Sequence, residues 1–185
     1  LITFSYDGSG FYGYAKQPDK RTIQEEIETA LTKINKDIKV SLNASGRTDA
    51  GVHALAQKAH FDMDTKIETN KLQKSINSLL PPDISIDKVE EVDKDFHARF
   101  NAHGKEYIYK INTGPYNPIE RNYVYQCPYK LDVVAMERAL KYLEGTHNYK
   151  SFTKADDEKE DYVRTISETE VIRDPRNINQ ITLSF

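Results

Sequence analysis

The chain has 185 residues, 38% hydrophobic and 30% charged, with 8 glycines and 7 prolines, a globular composition long enough for one large core or two small ones. Its one cysteine, Cys127, excludes an internal disulfide and a multi-cysteine zinc site and suits a reducing compartment; with no signal-peptide pattern and no apolar run of bilayer length, the expectation is a cytoplasmic protein with no membrane association. The formal charge of −3 runs against a nucleic-acid partner, but residues 83–95 and 154–161 hold 11 acidic against 4 basic residues, which leaves the remainder net positive and permits an RNA-binding face.

Leu1–Tyr6 reads as a strand, followed by a loop with Gly8, Gly10, Gly13 and Pro18. Thr22 and Glu25 have capping-box spacing at the start of a helix whose apolar stripe is Ile23, Ile27, Leu31 and Ile34. A strand over Lys39–Asn43, a glycine-bearing loop over 44–54 and a strand over Gln57–Met63 come next. A second helix, about 69–80, carries Leu72, Ile76, Leu79 and Leu80, and Pro81-Pro82 ends it. A strand over Ile84–Val92 closes a first half, 1–95.

The second half, 96–185, opens near Phe96. Tyrosines and β-branched residues predict strands over Glu106–Asn112 and Asn122–Gln126. Asp132 is placed to cap a helix with face Val133, Met136, Leu140 and Leu143, and Gly145 stands where a C-terminal cap belongs. The polar stretch 153–161 reads as a loop or insertion. Strands over about 163–173 and 179–185 finish the chain, with Pro175-Arg-Asn as their turn. Leu1 starts directly in a strand pattern and the chain stops within another, so it reads as a fragment whose second half is cut at its C-terminal end. Helices and adjacent strands interleave without the strict alternation of a doubly wound parallel sheet. The expected fold is α+β, two similar halves each made of an antiparallel sheet backed by helices, although no sequence repeat relates them.

Gly8-Ser-Gly10-Phe-Tyr-Gly13 matches G-x-G-x-x-G after a strand, but its last glycine should open a helix and the helix waits until about Ile23. No dinucleotide is expected. His53, His60, His97, His103 and His147 form no closely spaced metal-binding pair, so no metal is expected either. Residues 44–54, Ala-Ser-Gly-Arg-Thr-Asp-Ala-Gly-Val-His-Ala, hold one carboxylate, Asp49, between Gly46 and Gly51, with Arg47 two residues before it. On spacing alone this is equally a turn with a surface ion pair or an acid held ionised beside a guanidinium. Twelve tyrosines with no tryptophan suggest cross-strand packing or, beside a basic loop, platforms for unstacked bases.

The string Gly46-Arg47-Thr48-Asp49-Ala50-Gly51-Val52-His53-Ala54 resembles the signature of the TruA family of tRNA pseudouridine synthases. Tyr6-Asp7-Gly8 resembles that family's N-terminal motif, although Tyr14-Ala15 stands where the family has Trp-Gln. The block Phe96-His-Ala-Arg99-Phe-Asn-Ala-His-Gly-Lys105-Glu-Tyr107 is similar to a second family block, and Val163-Arg164-Thr165-Ile166 to a third. Gly145-Thr-His147 and Ser151-Phe152 also match family positions.

The resemblance implies the pseudouridine synthase fold, with an active-site cleft between two subdomains. It implies isomerisation of uridine to pseudouridine at positions 38, 39 and 40 of the tRNA anticodon stem-loop, by a homodimer and without a cofactor, since the uracil never leaves its pocket. Asp49 is the implied catalytic group, as nucleophile at C1′ or base at C2′. Arg164 is the implied partner that holds it charged. Tyr107 is implied to stack on the uracil, with Tyr109 reading as core. Arg47 is suited to fill the space of an extruded nucleotide or to grip its phosphate. Lys16, Lys20, Arg21, Lys58, Arg99, Lys105 and Arg121 are candidate RNA-backbone contacts. The rival expectation is a catalytically inactive RNA-binding protein of the same fold.

Overall fold

The first strand, β1 (Ile2–Tyr6), buries Ile2, Phe4 and Tyr6 and leaves Thr3 and Ser5 partly open, the period of two that puts alternate residues on one face. It lies between β3 (Ala54–His60) and β4 (Ile84–Val89), antiparallel to both, and the two-residue β2 (Asn43–Ala44) pairs with β3, giving the order β2-β3-β1-β4. Two helices, α1 (Ile23–Ile34) and α2 (Thr69–Leu79), complete this core. Ile23, Ile27 and Leu31 of α1 and Leu72 and Ile76 of α2 join Ile2, Phe4, Ile84 and Ile86 in one buried cluster. Each such side chain contributes roughly 1.5–3 kcal/mol on leaving water. Asn77 of α2 meets the edge of β4, donating to Ile86 O at 2.9 Å and accepting from Ile86 N at 2.7 Å, so that edge is covered by a side chain.

The structure is a computed structural model that describes residues 1–153 and 161–185, and the chain divides into two compact units, Leu1–His103 and Gly104–Phe185. Residues 96–103, read from the sequence with the second half, lie in the first unit. There Ala98 is buried, its N–H donates to His60 Nδ1 at 3.1 Å, and the His60 and His97 rings are 4.7 Å apart.

In the second unit β5 (Ile108–Asn112) and β9 (Glu170–Arg173) flank β10 (Gln180–Ser184), both antiparallel to it. The short β6 (Tyr125–Gln126) pairs with β5, and this pair is parallel where an antiparallel one was expected. Cys127 N donates to Asn112 O just past it, and the buried Asn112 side chain donates to Pro115 O and Gln126 Oε1. A separate ribbon joins β7 (Gly145–Asn148) to β8 (Val163–Ile166), and α3 (Val133–Lys141) lies against β9. The mixed α+β class expected from the sequence is the class observed. No helix among the described residues is long and apolar enough to cross a membrane. The polar loop expected over 153–161 falls, except for its two ends, outside the described residues.

Several local expectations fail for identifiable reasons. The strand expected over Lys39–Asn43 shrinks to β2, because Val40 N and Leu42 N donate to Thr32 Oγ1 and Glu28 Oε1 of α1 rather than to a neighbouring strand. The strand expected over Gln57–Met63 starts earlier, at Ala54, inside the signature string. Thr22 makes no side-chain cap, since the first N–H groups of α1 are already taken by loop carbonyls: Ile23 N donates to Gly13 O and Gln24 N to Tyr14 O. Gly145 begins β7 and does not cap α3. The single strand expected over 163–173 breaks into β8 and β9 where the buried Thr169 donates from N and Oγ1 to the Glu144 carboxylate.

Glu28 is a buried carboxylate on α1 that accepts from Leu42 N, Gln24 Nε2 and Lys16 Nζ. Burial alone would raise its pKa, yet these donors together hold it below the ordinary carboxyl value. Its charged form therefore stabilises the fold above about pH 4.5, the value expected unfolded, and that contribution fades as pH falls through the lower folded value. Replacing Glu28 by Gln should cost about 1–3 kcal/mol at neutral pH, with the gap to the parent closing in acid, as read by denaturant midpoints from pH 7 to pH 3. The Tyr14 hydroxyl, by contrast, is buried with no protein hydrogen-bond partner among the described residues. Tyr14→Phe should keep or raise the thermal midpoint, by up to about 1 kcal/mol in stability.

Candidate active site

The signature string forms the turn between β2 and β3, and its neighbours hold it at three places. Upstream, Gln57 Nε2 donates to Gly46 O at 3.0 Å and Ser45 Oγ donates to Gln57 Oε1 at 2.7 Å. At the middle, Tyr14 N donates to Thr48 O at 3.0 Å, and the Tyr6 and Thr48 hydroxyls are 2.8 Å apart. Downstream, His53 Nδ1 lies 3.2 Å from Gly8 N and 3.1 Å from Asp7 Oδ1. Between the last two clamps Val52 N donates to Asp49 O at 3.2 Å and closes a tight turn.

This support explains the glycines of residues 8–13. A Cβ on Gly8 would lie 2.1 Å from Val52 O, and one on Gly13 would lie 3.0 Å from Thr48 O in a backbone with φ +96°. The motif that reads as a phosphate cradle is a backbone seat for the loop that carries Asp49. Its carbonyls, at Gly13 and Tyr14, occupy the first donors of α1, where a bound phosphate would need free N–H groups.

The side chains of Arg47 and Asp49 both point into the open: each is exposed, and within the first unit neither has a hydrogen-bond or ion-pair partner among the described residues. The surface ion pair between them, one of the two readings of the spacing, does not form. What the loop offers is an unshielded carboxylate on a fixed backbone, with a guanidinium two residues away that is free to meet a substrate.

Tyr107 and Arg164 belong to the second unit. Tyr107 is half exposed, pairs through its backbone with Phe185, and stacks on that ring at 5.6 Å. Tyr109, read from the sequence as core, is 57% exposed and stacks on the same ring at 6.1 Å, because residues 107 and 109 share a strand face with Phe185. Arg164 lies exposed on β8 opposite His147, with Asp161 at 3.9 Å.

The basic candidates separate by their partners. Arg21 grips both oxygens of Asp83 at 2.8 and 2.9 Å, bonds Glu26 and covers the Phe11 ring, so it holds the start of α1 to the start of β4. Lys16 is bound to Glu28, and Lys58 donates to Thr3 Oγ1. Lys20 sits over the exposed Tyr12 ring at 4.4 Å, and Arg121 donates to Pro118 O. Arg99 lies near the Phe100 ring at 5.9 Å, and Lys105 is exposed. No group of three or more His, Cys, Asp or Glu side chains among the described residues is placed to hold a metal ion. Sequence reasoning missed Gln57 and the pairing of Tyr6 with Thr48. Only the place of Tyr6 at the end of a strand, ahead of Asp7-Gly8, hinted at a role.

Comparison with known proteins gives this loop its context. A model of the family described as tRNA pseudouridine synthase matches residues 2–101 and 139–185, which include Arg47, Asp49 and Arg164, while Tyr107 falls between the two matched segments. The tRNA pseudouridine synthase A of Lacticaseibacillus casei is 48% identical over 185 residues, all of this chain and 74% of the relative. The proteins of that name from Listeria monocytogenes and Streptococcus pneumoniae are 50% and 44% identical, over 88% and 93% of this chain and 66% and 70% of their own lengths. The chain thus spans between about two thirds and three quarters of these relatives. With close to half of all residues shared along that span, and with the clamped loop inside the matched region, the chain belongs to the tRNA pseudouridine synthase family.

Proposed function

We propose that this protein isomerises uridine to pseudouridine in tRNA, with Asp49 as the catalytic group. The observation that carries the reading is the loop itself: an exposed carboxylate on a backbone clamped at three places, in a chain half identical to proteins named for that reaction. The reaction breaks the bond from uracil N1 to C1′ of the ribose, turns the base in place, and forms a bond from C5 to C1′. The C5 proton is then lost and N1 gains one, so nothing is oxidised or reduced and no outside group is consumed. Such a reaction asks the protein for one ionised carboxylate at the ribose, a surface that keeps the base from leaving, and exclusion of water.

Asp49 supplies the first. Tyr107, exposed and stacked on Phe185, supplies a flat surface for uracil, and Arg164 a cation that would hold Asp49 ionised once a substrate covers both. On this reading uridines 38, 39 and 40 of the anticodon stem-loop are the targets, in a cytoplasmic homodimer. Arg47, with its guanidinium unpartnered in its unit, fills the space left by an extruded nucleotide or grips its phosphate, and Arg99 and Lys105 are available for backbone contact. Lys16, Arg21 and Lys58 already have partners in the fold and are weaker choices for that task.

Asp49→Asn should abolish tritium release from uridine-labelled tRNA while leaving tRNA affinity within a few-fold. Substantial turnover by that variant would overturn the role given to Asp49. A parent protein that binds tRNA and releases no tritium would instead favour the inactive RNA-binding alternative. Arg47→Ala should slow the reaction more on paired than on looped uridines, because extruding a paired base costs a few kcal/mol more. Equal losses on both substrates would remove the extrusion role.

A further inference from the structure

The Asp49 side chain has no partner within its unit among the described residues, so its order comes from the backbone around it: its own carbonyl accepts from Val52 N, and the residue before it is anchored. Thr48 is held from two sides: Tyr14 N donates to its carbonyl at 3.0 Å, and the Tyr6 hydroxyl lies 2.8 Å from its hydroxyl. Tyr6 is only 5% exposed and ends β1, where the register with β3 shifts between Phe4 and Tyr6. Strand alternation puts the Tyr6 ring on the core face with Phe4, near Tyr14, and its hydroxyl at the foot of the loop. Burial pushes the Tyr6 hydroxyl above the usual phenol range, while its bonds to Thr48 and Gln57 pull it partly back, so it stays a neutral hydrogen-bonding group.

We infer that Tyr6 is a positioning residue for the reaction, acting through its hydrogen bond to the Thr48 side chain to fix the direction of the Asp49 carboxylate. This rests on Asp49 being the catalytic group. Two other supports of the loop do not involve the pair: the Tyr14 N to Thr48 O bond and the close approach of Gly8 and Gly13 remain when either hydroxyl is removed, and Gln57, which holds Gly46 O and also bonds the Tyr6 hydroxyl, is untouched by the Thr48 variants. Loss of the pair therefore frees the Thr48 side chain, not the fold. A carboxylate misdirected by about an ångström can cost on the order of a hundredfold in rate.

The test measures single-turnover rate, kcat and KM on tRNA, together with tRNA affinity, for Tyr6→Phe, Thr48→Val, Thr48→Ser and the Tyr6→Phe/Thr48→Val double variant. Tyr6→Phe and Thr48→Val should each lower kcat by roughly ten- to a hundredfold with KM and affinity within about twofold. The double variant should be no slower than the worse single one, since both remove the same bond. Thr48→Ser, which keeps the hydroxyl, should retain most of the parent rate. If Tyr6→Phe folds poorly, the near-isosteric contrast of Thr48→Val with Thr48→Ser decides alone. Parent-like kcat in Thr48→Val, or losses that multiply in the double variant, would overturn the inference while Asp49→Asn still reports on the catalytic carboxylate. A parent protein with no turnover would overturn both.

Discussion

The first unit depends on two stretches of backbone lying closer together than side chains would allow. Residues 8–14 and 46–53 meet where a Cβ on Gly8 would overlap Val52 O and one on Gly13 would press on Thr48 O. That contact does two things at once. It seats the turn that presents Asp49, and it aims the Gly13 and Tyr14 carbonyls at the exposed N–H groups of α1. The helix start, the glycine loop and the signature loop are thus one hydrogen-bonded assembly built on β1.

The chemistry proposed for the loop suits that construction. A group that must meet a ribose carbon cannot be buried among its own partners, so its order has to come from the backbone beneath it. The polar groups that are fully bonded, Glu28, Gln57 and Asn77, all serve the scaffold, and Arg47 and Asp49 stand clear of them. The second unit is built differently. Among its described residues the buried side chains are few, chiefly Ile181, Asn112, Val124, Cys127 and Thr169, and many of its aromatic rings, Tyr107, Tyr109, Tyr125 and Tyr129 among them, are exposed. Flat exposed rings are what a protein offers to unstacked bases, and they are also what a partner surface covers.

Helix periodicity was legible to within a residue or two, because α1 and α2 each bury one continuous stripe. Strands were legible where they bury alternate residues, as in β1, and less so where side chains stand in for strand partners. Val40 and Leu42 are apolar and buried, as a strand residue would be, yet bond to Thr32 and Glu28 of α1. The break between β8 and β9 depends on Glu144, some 25 residues away from the Thr169 it binds. No local pattern announces a contact of that kind.

Family membership could be read from the chain alone: the nine residues from Gly46 to Ala54 carry the family's signature, and the blocks around Tyr107 and Arg164 follow in order. A signature of this kind is written in residue type and local spacing, which is why it can be read without coordinates. That the glycines of residues 8–13 seat that loop, that Arg21 is a strut, and that Tyr6 reaches Thr48 across 42 positions of sequence emerges only from the folded chain. Those facts depend on which backbones come to lie side by side, and that is settled by burial of one shared core, not by any short run of residues.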